Sequence, residues 1–242
     1  MISRARVLAA LATVHDPELD EPITSLGFVG SCVVSDGGSV DVHLRLPTPQ
    51  CAPNFAFLMA SDAREAVRRM PGVGEVRVVL DDHYTADEIN AAVGTGGGFG
   101  AAFPGEGAGD LEALRELFTR KALLARQGRV AAILLPGDPS RRGAGTPADH
   151  AAVVALCVSD LPPDHPEVAR CLALRRELGL PHGPDAPALV AGDGSRLTAE
   201  ELPLWLRRAR LVGLSLESNG GLCRSLLRVR HGVPDPTEEV AT

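Results

Sequence analysis

Two short segments hold residues whose types and spacing suit chemistry. One is Asp16-Pro17-Glu18, at the end of the first predicted helix; the other is Leu46-Pro47-Thr48-Pro49-Gln50-Cys51-Ala52-Pro53, between a strand and a helix. Prolines at 47, 49 and 53 stiffen the second segment. Cys51 falls at or just before a helix N-terminus, where free N–H groups and the helix dipole favour an anion. A thiol so placed is expected to ionise more readily than the ordinary value of about 8.5. The thiolate binds metal or attacks an electrophile, so the local sequence leaves three readings: a ligand, a nucleophile, or a small buried cysteine beside a rigid turn.

The elements that must position these residues follow from hydrophobic periodicity. The first half reads as a helix over about 2–14, strands over about 28–35 and 39–46, a helix over about 53–70, a strand over about 74–80 and a short helix from Thr85. Val40, Val42, Leu44 and Leu46 alternate with Asp41, His43 and Arg45, which sends one face to the core and the other toward water. Ser35-Asp36-Gly37-Gly38 is a hairpin turn. Half of the residues from Gly94 to Gly109 are glycine, and Pro104 lies among them, so no helix or strand is expected there. The second half reads as helices over about 110–127, 147–156, 165–178, 198–210 and 219–228, with 130–135 and 211–216 open between strand and helix. The expected architecture is α+β: a small α-β-β-α-β-α domain over 1–93, a glycine-rich linker over 94–109 and a mostly helical accessory domain over 110–242.

Composition removes several classes of function. The chain has 242 residues, 45% of them hydrophobic, enough to bury a core. A formal net charge of -7 and few aromatics beyond Tyr84 and Trp205 argue against nucleic acid as a ligand. The apolar runs are far shorter than the roughly 20 residues of a membrane span, and the N-terminal segment reads as an amphipathic helix rather than a signal peptide. An odd set of five cysteines, at 32, 51, 157, 171 and 223, fits a reducing cytoplasm. Gly96 to Ala101 fits the loose dinucleotide-binding glycine pattern, but no strong strand precedes it and Pro104 interrupts any following helix. No Gly-Lys-Ser/Thr is present, so any transport role would be passive.

From about residue 4 to 90 the chain resembles the metal-sulfur cluster assembly domain shared by SufT-like and PaaD-like bacterial proteins and the eukaryotic cytosolic iron-sulfur targeting factor. The resemblance rests on Asp16-Pro17-Glu18, Ile23 with Leu26-Gly27, the Thr48-Pro49-Gln50-Cys51 loop, and Met70-Pro71-Gly72-Val73 leading into Val76 to Leu80. Family members end the loop with a Thr-rich segment and Gly-Cys-Pro. Here Pro47 replaces a Thr, Gln50 the Gly and Ala52 the Pro, while Cys51 remains. The resemblance implies an α/β fold and a role in assembling, carrying or targeting iron-sulfur clusters, with Asp16 and Cys51 as the functional pair.

That implication agrees with the chemistry of the residues. One thiolate and one carboxylate on short loops make an incomplete metal shell, whereas a structural zinc site closes with four ligands at paired spacing, and no Cys-x-x-Cys or His-x-x-x-His occurs. Binding of an iron-sulfur cluster or iron is therefore expected to be transient, or completed by a second subunit, as in a homodimer, or by a client. Cys51 and Asp16 are the expected metal residues; Thr48, Gln50 and Glu18 shape the loops. Cys223, near an expected helix N-terminus, is a secondary candidate, while Cys171 reads as core. His15, His43 and His83 read as solvated, and Arg207-Arg208-Ala209-Arg210 as a helix end that complements the dipole or grips an acidic partner. The expected function is a non-enzymatic cytoplasmic factor that helps mature a client metalloenzyme, alongside cluster assembly proteins. The rivals are a metal-free adaptor for an oxygenase-type metalloenzyme and a cysteine enzyme using His15 or His83 as base.

Overall fold

The computed structural model describes residues 2–105, 108–135 and 145–232. Its first elements run in the expected order: α1 (Arg4–Leu11), β1 (Val29–Val34), β2 (Val40–Arg45), α2 (Pro53–Arg68), β3 (Val76–Asp81) and α3 (Ala86–Thr95). β2 is the central strand, antiparallel to β1 (Cys32 opposite Val42) and parallel to β3 (Leu44 opposite Leu80). A parallel pair needs a crossover, which α2 supplies. Val40, Val42 and Leu44 are buried as the alternation requires. They meet Phe57, Ala60, Ala63 and Val67 of α2 and Val7 and Leu11 of α1 in one apolar core.

Local chemistry explains the element ends. Gly38 takes φ +80 in the hairpin, and a Cβ there would stand 3.0 Å from the Gly72 carbonyl oxygen, so this turn requires glycine. Helix α1 stops at Leu11, short of the expected 14. Its following residues turn back to pair with the next segment: the Val14 carbonyl accepts the Ile23 N–H at 2.9 Å, and the Asp16 N–H donates to the Glu21 carbonyl at 2.9 Å.

The glycine-rich stretch departs from expectation. Residues 106 and 107 lie outside those described, but within the rest of the stretch Phe99–Ala102 form the short helix α4. Its Phe99 is buried, with ring centroids 5.4 Å from Phe57 and 4.9 Å from Phe103. Aromatic packing holds the stretch where glycine alone would leave it free.

Beyond it come α5 (Ala108–Leu134), α6 (Pro147–Ala155), a 3-10 turn (Val158–Asp160), α7 (Pro166–Glu177) and α8 (Leu202–His231). Thr146 caps α6 through a reciprocal pair with Asp149, as the Thr-Pro start predicts. The two apolar runs left open are both helical: 130–134 belongs to α5, and 211–216 to α8, which joins the two helices expected at 198–210 and 219–228. No described helix is long and apolar enough to cross a membrane.

The chain forms two compact units that do not follow its order: residues up to Arg115 with those from Glu217 onward, and Glu116–Leu216. The boundaries fall within α5 and α8. The second unit has its own core, with Val130, Val168, Cys171 and Leu174, so Cys171 is a core thiol. Beside them Arg175 is wholly buried and donates to Gln127 Oε1 and the Pro187 carbonyl, each at 2.8 Å.

Candidate metal site

Cys51 immediately precedes Ala52, the N-cap of α2, and Pro53 is the first helical residue. The loop that carries it is tied down from behind by the turn between β3 and α3. The Cys51 carbonyl accepts from His83 Nε2 at 2.7 Å, and the Tyr84 N–H donates to the Pro49 carbonyl at 3.1 Å. His83 Nδ1 in turn accepts the Thr85 N–H at 3.2 Å, so the ring proton sits on Nε2. Within the loop, Thr48 Oγ1 lies 3.5 Å from Cys51 Sγ. Thr48 and Cys51 are half-buried, Pro47 is buried and Gln50 faces solvent.

His83 was expected at a solvated strand end; it is 7% exposed and organises the loop. Its two nitrogens are committed to Thr85 and to the Cys51 carbonyl, so it presents no base to the thiol. Thr85, at the expected start of the short helix, makes no side-chain cap to α3 and bonds the His83 ring. His43 is held between Asp81 (2.9 Å) and Asp41 (3.1 Å) across β2 and β3, and His15 Nδ1 lies 3.0 Å from the Thr13 carbonyl oxygen.

Asp16 is buried. Its Oδ1 accepts the N–H groups of Glu18 (2.8 Å) and Leu19 (2.9 Å), closing the turn that the Asp-Pro-Glu sequence begins. Burial pushes its carboxyl up to about 6, against the pull of those two N–H groups, and the nearby charges of Glu18 and Glu21 add to the rise. Glu18 itself is exposed at the rim.

Cys223 joins this neighbourhood for a different reason from the one its sequence suggests. It lies in the interior of α8, so no helix terminus acts on it. Its thiol is pushed up to about 11, first by burial and then by the negative charges of Asp16, Cys51 and Glu18. The same continuity places Arg207, Arg208 and Arg210 in the N-terminal part of α8, far from the C-terminal turn whose dipole a cation complements. Among the described residues, no three side chains of His, Cys, Asp or Glu converge to hold a metal ion by themselves.

Comparison with known proteins singles out the same part of the chain. Residues 4–78 match the family described as iron-sulfur cluster assembly protein. The chain is 36% identical to the protein MJ1129 of Methanocaldococcus jannaschii over 90 residues, which make up 37% of this chain and 93% of that protein. It is 36% identical over 78 residues to the iron-sulfur cluster carrier protein of Mycobacterium leprae, and 42% identical over 77 residues to that of Mycobacterium tuberculosis. In both cases the match covers 32% of this chain and 20% of the carrier, so the chain spans about a fifth of the length of those relatives. The matched segment carries β1, β2, α2, Asp16 and Cys51, and through it the chain belongs to the iron-sulfur cluster assembly protein family.

Proposed function

We propose that the first unit receives an iron-sulfur cluster, or iron, and passes it to a client metalloenzyme, with Cys51 as the ligand. The observation that carries this reading is the half-buried Cys51 thiol on a loop pinned through its backbone by His83, whose two ring nitrogens are both engaged away from the sulfur. Membership of the assembly family and the names of the carrier relatives support the choice of cargo. Asp16 orients its loop through Oδ1 and completes the site, while Thr48, Gln50 and Glu18 shape its rim. A shell short of ligands suits a carrier, because inorganic sulfide and the client's own ligands then fill the remaining positions. The reading is of a non-catalytic, cytoplasmic factor that works with cluster assembly proteins, its second unit recognising the client.

Anaerobic reconstitution with iron and sulfide, followed by absorption spectroscopy, tests the reading. Wild type should take up iron with sulfur-to-iron charge-transfer bands, and Cys51→Ser should lose them. Equal uptake by both proteins removes Cys51 as ligand and leaves the metal-free adaptor, which predicts that Cys51→Ser co-purifies an apo-enzyme undiminished.

A further inference from the structure

One side of α8 faces the first unit along Gly220, Cys223, Leu227 and Arg230, spaced three or four residues apart as one helical stripe requires. Leu227 is buried in the apolar core. The two ends of this stripe are anchored to different loops. At one end Arg224 donates to Glu21 Oε2 at 2.6 Å, and a Cβ on Gly220 would stand 2.6 Å from Glu21 Oε1, so the helix is tied to the side chain of Glu21, on the loop that carries Asp16. At the other end Arg230 donates to the Leu46 carbonyl at 3.3 Å and the Asp82 carbonyl at 3.1 Å, and pairs with the Asp82 carboxylate. His231 Nε2 also lies 3.3 Å from the Leu46 oxygen. Leu46 opens the Cys51 loop, and Asp82 precedes the histidine that pins it. Cys223 stands between these anchors, half-buried, and it and Cys51 each border the apolar core of the first unit.

We propose that Cys223 is the second thiolate of the site, so that a soft divalent cation or an iron-sulfur cluster is held by a Cys51–Cys223 pair, one sulfur from the β2–α2 loop and one from α8. The proposal rests on the reading of Cys51 as a cargo ligand and adds to it an element outside the family match, which ends at residue 78. Thiolate donors select soft metals and iron-sulfur clusters. On binding, each thiol forms one sulfur–metal bond and gives its proton to solvent, two protons per divalent cation, with no change of oxidation state.

Cobalt(II) alone, added anaerobically to the full chain, tests the pair. X-ray absorption of the wild-type complex should show two sulfur scatterers per cobalt. The thiolate-to-cobalt charge-transfer absorption should fall by about half or more in both Cys223→Ser and Cys51→Ser, because its intensity follows the number of thiolates. One sulfur per cobalt, no thiolate band in wild type, or a Cys223→Ser spectrum equal to wild type overturns the proposal. If Cys51→Ser abolishes the band while Cys223→Ser leaves it intact, Cys51 remains a ligand and only the pair is lost. A band indifferent to both substitutions removes the two readings together. The wild-type sulfur count decides the matter even where a serine variant fails to fold.

Discussion

His83 Nε2 donates its proton to the carbonyl oxygen of Cys51 at 2.7 Å, which couples the turn after β3 to the loop after β2 without touching the thiol. Removing the donor leaves a carbonyl in a part-buried position without its partner, at a cost of about 1–3 kcal/mol. His83→Ala should therefore loosen the loop and speed alkylation of Cys51 by iodoacetamide, and His83→Gln, whose amide can still donate, should restore part of the protection. An alkylation rate in His83→Ala equal to wild type would show that the hydrogen bond does not govern the loop.

Asp16 sets a pH dependence of defined sign. Its carboxyl sits at about 6 when folded, above the ordinary 3.8. Between those values the folded chain holds a proton that the unfolded chain releases, so stability falls as pH rises from about 4 to about 6 and stays reduced above that. The gap of about two pH units corresponds to roughly 3 kcal/mol. Asp16→Asn keeps an oxygen for the Glu18 and Leu19 N–H groups and never becomes charged. In the metal-free protein it should be more stable than wild type at pH 7.5, by up to about 3 kcal/mol, and nearly equal at pH 4. Urea denaturation at both pH values reads this, and a variant less stable at pH 7.5 would contradict it.

Gly38 and its neighbour make a paired test in the hairpin. Gly38→Ala forces a side chain into φ +80 and against the Gly72 oxygen, and should cost about 1–2 kcal/mol. Gly37 lacks that φ and its Cβ would meet nothing closer than 3.9 Å, so Gly37→Ala should be neutral or slightly stabilising. Hydrogen exchange at the Val40 amide, which donates to Glu75 at 2.8 Å, reports the local opening. Equal protection in the two variants would rule out backbone strain as the determinant.

In the second unit, Arg175 is a buried cation held by neutral acceptors: Gln127 Oε1 and the Pro187 and Ala188 carbonyls. Burial lowers its pKa, and its Nε has no hydrogen-bond partner. A buried charge is often replaceable by an apolar residue. Here the Pro181, Pro187 and Ala188 carbonyls would lose this donor at once, while Gln127 Oε1 keeps the Val190 N–H. That loss outweighs the relief of the charge, so Arg175→Met should destabilise the unit by about 2–4 kcal/mol. Trp205, the single tryptophan, lies in the same unit and reports its unfolding by fluorescence. An unchanged midpoint would mean that the charge was the larger cost.

Residue pattern alone determined the order of elements from α1 to α3, the hairpin at Gly38, the central alternating strand and the placement of Cys51 just ahead of α2, because each follows from a period or a turn preference over a few neighbouring residues. It also carried the family resemblance, with Asp16 and Cys51 as its candidate pair. Three features only the tertiary structure decided. His83 follows two acidic residues and looks solvated, yet it is buried because the Cys51 carbonyl, distant in sequence, needs a donor. Gly220 and Gly221 fall at the start of the helix expected over 219–228, where a glycine avoids the cost of about 1 kcal/mol that it carries in a helix interior. Instead α8 runs through, because Gly220 allows close approach to Glu21 and Leu227 reaches the core of the first unit. The anchoring of α8 on the loops of Asp16 and Cys51 follows from that continuity alone, and no local pattern records it, because the contacts that hold the helix there join the last described turns of the chain to loops near its beginning.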